Sequence, residues 1–91
     1  MLESIQANEL IREASKDKDG LILRTEALGM LPSIFTNGKE FSTGLSAREH
    51  AYLEDGLEVL VKFGYLKAIT YGQIYLVTRQ GYEYADSLAT N

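Results

Sequence analysis

The sequence lacks cysteine, long apolar runs and a basic leader, and each absence excludes a class of protein. Without cysteine there is no disulfide framework and no thiolate metal site, which suits a reducing compartment. No apolar run approaches the ~20 residues needed to span a bilayer. Residues 1–8 contain an acidic residue and no basic one, so they are not typical of a secretory signal. The sequence therefore predicts a soluble protein of the cytoplasm that does not engage a membrane.

Basic residues are also few. Nine lysines and arginines stand against thirteen acidic residues, which gives a net charge of −4. Nonspecific binding to nucleic acid depends on displacing counterions with Lys and Arg, so this balance counts against it. It does not exclude DNA binding, because the distribution of charge matters more than its total.

Histidine is limited to His50, which leaves little chemistry for catalysis or metal binding. A zinc site would need further His or Cys ligands, and the sequence has neither. The serines Ser33, Ser42 and Ser46 have no base other than His50 to activate them. No glycine-rich phosphate loop is present. We therefore predict no enzymatic activity, no metal and no cofactor, and we interpret His50 as a structural residue.

What is present is the composition of one small globular domain, predicted over residues 1–91. Apolar residues make up 45% of the chain and charged residues 24%, which is ordinary for a folded domain. An apolar stripe predicts a helix over 4–16, and an apolar run predicts a short strand over 21–23. Thr25 can then cap a second helix over 25–31.

Residues 32–45 allow two interpretations. The Asn37-Gly38 pair is a strong turn signal between apolar residues. It predicts either a small hairpin that pairs Ile34 with Phe41, or a loop that places Phe35 and Phe41 in the core. The shortness of the flanking segments favours the loop.

The second half of the chain carries the clearest patterns. A capping box, Ser46-Ala47-Arg48-Glu49, opens a long helix predicted over 46–64, along which apolar residues recur at helical spacing. Two β-rich runs joined by Tyr71-Gly72-Gln73 predict a tight hairpin over 66–78. A C-terminal helix follows over 79–89.

Two passages of this half resemble winged helix-turn-helix domains. Residues 57–66 (LEVLVKFGYL) are similar to the family's Leu-x-x-Leu-x-x-x-Gly-Tyr-Leu passage, where the long helix ends and the wing begins. Residues 75–82 (YLVTRQGY) are similar to the passage that leaves the wing, where a threonine caps the next helix. The general pattern is that of MarR-like and PadR-like regulators. The resemblance implies an α+β, mostly α fold in the order helix, short strand, helix, long helix, β-hairpin, helix.

The resemblance also implies a DNA-binding protein of the transcription-regulator type. Arg48 and Tyr52, early in the long helix, are the candidates for contacts with base edges. The remaining candidates come from the stretch between Glu58 and Glu83, which contains no acidic residue.

In that stretch, Lys62, Lys67 and Arg79 are predicted to contact DNA phosphates, accompanied by Tyr71 and Gln73 at the tip of the wing. The same composition also suits an ordinary hairpin, because acidic residues are depleted from strands. The pattern therefore favours DNA as the partner without excluding a purely structural explanation.

The alternative is a winged helix that serves as a protein-interaction module and binds no nucleic acid. The long helix carries more acidic than basic residues, and residues 32–45 stand where a helix-turn-helix has a turn of only about three or four. Tyr82 and Tyr84 lie two positions apart on the last helix, so they cannot both face the core. One of them is predicted to contact a partner or to lie in a homodimer interface.

Overall fold

The computed structural model describes residues 2–89, without the side chain of Ala89; the ends of the predicted domain, Met1, Thr90 and Asn91, lie outside the described residues. Within this range the chain forms three helices and one five-stranded antiparallel sheet. In chain order the elements are α1 (Ile5–Ala14), β1 (Leu21–Thr25), β2 (Ser33–Thr36), β3 (Lys39–Glu40), α2 (Ala47–Lys62), β4 (Leu66–Thr70), β5 (Ile74–Val77) and α3 (Arg79–Ala89).

The predicted winged helix-turn-helix order is wrong. The fold is α+β, but it is not mostly α, and the second helix predicted over 25–31 is absent. The observed order is one helix, three strands, the long helix, two strands and a final helix. Without a helix between β1 and β2, residues 2–89 contain no helix-turn-helix unit before α2.

Strand pairing decides the conformation of residues 25–31. Thr25, the predicted helix cap, is the last residue of β1 and pairs with Ser33 at the start of β2. Gly29 adopts a left-handed backbone (φ 78°) that interrupts a helix. Leu28 is fully exposed and Leu31 is 55% exposed, so the apolar side chains of this segment do not pack on the core and no tertiary contact of theirs stabilises a helix.

Of the two interpretations of residues 32–45, the structure shows the small hairpin, and the loop that the short flanks favoured is wrong. Asn37 and Gly38 both have positive φ angles, 53° and 73°, as a two-residue hairpin turn requires. The predicted partners are in register, and the backbone N–H of Phe41 donates to the carbonyl of Ile34 at 2.9 Å. The short flanks are stable because β2 also pairs with β1 along its full length.

The sheet has the strand order β3-β2-β1-β5-β4. Because side chains alternate along a strand, each strand presents one set of residues to the helices. We call this the covered face. Its residues are buried in one core with all three helices, and they are Ile22, Ile34, Leu66, Tyr75 and Val77.

Two glycines allow the helices to pack closely. Gly56 lets α2 lie directly on α1, since a Cβ at this position would meet the backbone nitrogen of Ala7 at 2.9 Å. Gly81 lies against the carbonyl oxygen of Tyr65, where a Cβ would collide with the backbone. The three helices therefore form one layer on one side of the sheet.

Candidate functional site

The two predicted base-contacting residues lie on the solvent side of α2. Arg48 and Tyr52 are exposed and share a helical stripe with Lys62 at the other end of the helix. Asp55 and Glu58 are exposed on the same side. The solvent side of α2 is therefore a surface of mixed charge rather than a basic one.

The three predicted phosphate contacts lie at one end of the molecule. Thr78 joins the end of α2 to the start of α3, because its hydroxyl donates to the carbonyl of Gly64 at 2.6 Å. This bond places Lys62 and Arg79 near the same junction. Lys67 lies at this end too, in register with Leu76 of β5, but on the side of the sheet away from the helices.

The base-contacting and phosphate-contacting candidates are separated along α2. Lys62 lies fourteen positions after Arg48, which at 1.5 Å per residue corresponds to about 21 Å. Arg79 is also partly neutralised, since its Nε lies 3.6 Å from a carboxylate oxygen of Glu83. The structure thus places three of the predicted DNA contacts at one end of the molecule, with Lys62 on the helix side and Lys67 on the opposite side of the sheet, and leaves Arg48 and Tyr52 toward the other end of α2.

The hairpin tip, with Tyr71 and Gln73, lies at the opposite end of the sheet from that junction. The exposed Tyr71 hydroxyl donates to a carboxylate oxygen of Glu58 at 3.4 Å. The backbone carbonyl of Gln73 accepts from the backbone nitrogen of Arg24 at 2.8 Å, while its side chain is exposed. The tip is therefore fastened to β1 and α2.

Beside this tip, Arg24 is the centre of a cluster of ion pairs and hydrogen bonds that was not predicted from the sequence. Its Nε donates to both carboxylate oxygens of Glu54 at 2.9 and 3.0 Å, and its Nη1 donates to Glu26 at 2.7 Å and to the carbonyl of Gly72 at 3.0 Å. The hydrogen bond to Glu54 is the main cause that raises the pKa of Arg24. A guanidinium already paired with two carboxylates attracts phosphate poorly.

The two tyrosines of α3 have different surroundings. Tyr84 is internal: its ring stacks on Tyr65 with centroids 4.5 Å apart, and its hydroxyl donates to Asn8 at 2.6 Å and accepts from the backbone nitrogen of Leu2 at 2.7 Å. Tyr82 is 38% exposed and lies against Gly20. Of the predicted pair, Tyr82 is therefore the exposed one.

His50 is buried, with 4% of its surface exposed. Its Nε2 donates to the backbone carbonyl of Pro32 at 2.6 Å, which ties the first turns of α2 to the start of β2. Among residues 2–89 no group of three His, Asp or Glu side chains converges to hold a metal ion. The described contacts of His50 are structural, in agreement with the interpretation from sequence.

The side of the sheet opposite the helices is apolar. We call it the open face, and its large side chains are Leu21, Leu23, Phe35, Ile74 and Leu76. The register aligns them across three adjacent strands, with Leu23 opposite both Phe35 and Ile74, and Leu21 opposite Leu76. Leu23 at the centre is 41% exposed, and the other four are half-buried. No element among residues 2–89 covers this face.

The open face is bounded by polar and charged residues. Glu40 on β3 lies on the same side as Phe35, its register partner, and Lys67 on β4 lies on the same side as Leu76. At one end, a shallow depression of about 360 Å³ is lined by Leu21 and Phe35 together with Asp17. The open face therefore has an apolar centre, an acidic edge at β3 and a basic edge at β4.

One pattern in the sequence could have revealed the open face. Leu21-Ile22-Leu23 and Ile74-Tyr75-Leu76-Val77 are uninterrupted apolar runs in strands. Strands with one wet face alternate apolar and polar residues, whereas strands buried on both faces are continuously apolar. Two such runs in adjacent strands indicate a sheet that is apolar on both faces.

Comparisons of the chain with protein-family models, with curated proteins and with solved structures found no match. Within residues 2–89, none of the helices has the length and apolar character required to cross a membrane.

Proposed function

We propose that the chain is a protein-interaction domain that binds a flat apolar surface of another protein through the open face of its sheet. The observation that carries this proposal is the row of aligned side chains Phe35, Leu23 and Ile74, across three strands, with no helix above it. Contiguous exposed apolar surface of this kind marks protein contact sites.

The physical reason is the cost of leaving such a face in water. Removing apolar surface from water contributes a favourable free energy of roughly 25 cal/mol per Å². Because several large side chains share one flat face, a single contact can bury all of them at once. A sheet with one solvated face normally carries polar residues there. The open face instead has the composition of a sheet that packs on both sides.

The open face is not the contact surface that the sequence predicts for an interaction module. The acidic side of α2 and the two tyrosines of α3 are the contact residues expected from the sequence, but Tyr84 is used internally against Tyr65 and Asn8. The side of α2 around Asp55 and Glu58 is charged and exposed. A cytoplasmic location stays a prediction.

Site-specific photo-crosslinking in cells tests this proposal. A benzophenone amino acid is placed at Leu23 on the open face and, as the matched control, at Ala51 on the solvent side of α2. We expect a discrete adduct from position 23, identified by mass spectrometry, and none from position 51. The adduct should disappear when Phe35→Glu is added. Equal labelling from both positions, or no adduct from position 23, would count against the open face.

A second candidate function is DNA binding, and the observation that favours it is the set of basic residues around the α2–α3 junction. Lys62, Lys67 and Arg79 lie at that end of the molecule. If they contact phosphates, affinity for mixed duplex DNA should fall with a log–log salt slope of about −3. The charge reversal Lys62→Glu should reduce that slope by about one. No binding at low salt would exclude this function.

A further inference from the structure

The charged edges of the open face define which partner fits it. Glu40 and Lys67 lie on the two outermost strands of the sheet, β3 and β4, with the apolar residues between them. Both are exposed, and neither forms an ion pair with another of residues 2–89. Adjacent strands are ~4.8 Å apart, so about 19 Å separates the acidic edge from the basic edge. Along the strands the two residues are offset by about two positions, or ~7 Å, which long side chains can span.

This arrangement is complementary to itself under one symmetry operation. Two sheets packed face to face can be related by a two-fold axis that lies between them. If the axis is parallel to the strands, it exchanges the edges, so that β3 of one copy lies over β4 of the other. Glu40 of each copy then faces Lys67 of its mate, and the leucine-rich centres meet. An axis across the strands would instead place Glu40 over Glu40 and Lys67 over Lys67.

We infer that the open face is occupied by a second copy of this chain, packed sheet to sheet about a two-fold axis parallel to the strands. The inference rests on the proposed function and names the partner for the same face. The spacing between acid and base matches automatically in an identical chain, whereas a foreign protein would have to reproduce it.

Association through the sheet edges is disfavoured by the edges themselves. β3 has only two residues, and β4 has an irregularity in its pairing between Ala68 and Thr70. Short and bulged edge strands are devices that prevent edge-to-edge pairing. The two copies therefore meet through their faces.

Sedimentation equilibrium on the whole chain, from micromolar to millimolar concentration at low salt, tests the inference. We expect a monomer–dimer equilibrium for the unmodified protein. Lys67→Glu and Glu40→Lys should each raise the dimer dissociation constant about tenfold, because each turns two attractive contacts into repulsive ones. Lys62→Glu, which makes the same charge change on the solvent side of α2, is the matched control and should leave the constant unchanged.

Mixing the two variants, Lys67→Glu and Glu40→Lys, gives the sharpest result. In the mixed dimer, the glutamate introduced at position 67 of one copy faces the lysine introduced at position 40 of the other. The unmodified Lys67 and Glu40 face each other as before, so both contacts are attractive. We expect the mixture to associate about as tightly as the unmodified protein, with an advantage that shrinks as salt is added. Circular dichroism confirms that each variant is folded.

Two outcomes would overturn the inference: a strict monomer at millimolar concentration, or a Lys67→Glu effect no larger than that of Lys62→Glu. A monomer whose position 23 still crosslinks to a different protein overturns the dimer and leaves the proposed function standing. A monomer without any crosslink overturns both.

Discussion

The two faces of the sheet carry residues of similar hydrophobicity with opposite exposure. On β1, Ile22 is fully buried against the helices, while its neighbour Leu23 is 41% exposed on the other side. Polar groups near the covered face are paired, such as the Thr36 hydroxyl, which donates to the carbonyl of Leu21 at 2.7 Å. The covered face thus belongs to a packed core, whereas no element among residues 2–89 packs on the open face. We therefore expect the covered face to determine stability and the open face to determine association.

The largest expected difference is between neighbouring alanine substitutions on β1. Ile22→Ala should lower the free energy of unfolding by about 2–5 kcal/mol, because it removes a fully buried side chain from a packed core. Leu23→Ala should lower it by less than about 1 kcal/mol at dilute protein concentration. Urea denaturation of both variants measures this. Similar losses would show that the two faces are not distinct in the monomer. If Ile22→Ala does not fold, Ile22→Val should still cost about 0.5–1.5 kcal/mol.

A smaller effect is expected at the pair between β1 and α2. Glu54→Gln should lower the free energy of unfolding by about 1–2 kcal/mol, because it leaves Arg24, 16% exposed, without its main charged partner. Glu26→Gln is the control, since the carboxylate of Glu26 is 65% exposed and should contribute less than about 0.5 kcal/mol. Equal effects in chemical denaturation would contradict the geometry of the cluster.

Association should couple stability to concentration through the open face alone. A ligand that binds only the folded state raises the melting temperature by mass action, and a second copy acts in the same way. The melting temperature of the unmodified protein should therefore rise by a few degrees between micromolar and millimolar concentration. Leu23→Thr should abolish this rise and leave the melting temperature of the dilute protein within about two degrees. Calorimetry at several protein concentrations measures the melting temperature of both proteins. A rise that persists in Leu23→Thr would be incompatible with the open face as the interface.

The smallest effect concerns acid stability in the turn before β1. The pKa of Asp17 lies below its ordinary value of 3.8, chiefly because its carboxylate accepts the backbone N–H of Leu21 at 3.0 Å. The charged form therefore stabilises the fold above pH 3.8, and this contribution is lost as the pH falls through the lowered pKa. Asp17→Asn should show a shallower loss of stability as the pH falls below 3.8.

Urea unfolding at a series of pH values checks this, with Asp19→Asn as the control because the Asp19 carboxylate takes no part in that bond. The prediction fails if Asp17→Asn and the unmodified protein lose stability in parallel.

Local signals were enough to predict several elements. The capping box is confirmed, because the Ser46 hydroxyl accepts from the backbone N–H of Glu49 at 3.1 Å and the Glu49 carboxylate accepts from the backbone N–H of Ser46 at 3.0 Å. The long helix, the hairpin around residues 71–73 and the last helix overlap their predicted ranges. Each is specified by residues close together in the chain.

Contacts between distant residues decided the rest. Thr25 followed by Glu26 has the pattern of a helix start, yet the pairing of β1 with β2 extends the strand through Thr25. The Arg24–Glu54 pair joins residues 30 positions apart, and no local pattern indicates it. Most open-face residues belong to two apolar runs, in β1 and β5, whose local pattern predicts strands but does not show which side of each strand is covered. Pairing partners determine which side of such runs is covered.

The central position of β1 also has a consequence for the order of folding. The hairpins β2–β3 and β4–β5 each join neighbouring segments, whereas β1 must meet β5 across more than half of the chain, with Leu21 beside Leu76. Closing a long loop carries an entropic cost before any contact rewards it, and such pairings slow folding. We expect the β1–β5 pairing, which joins strands β1, β2 and β3 to the β4–β5 hairpin, to form late in the reaction. Mutational φ-values near zero at Ile22, against higher values within the β4–β5 hairpin, would establish that sequence of events.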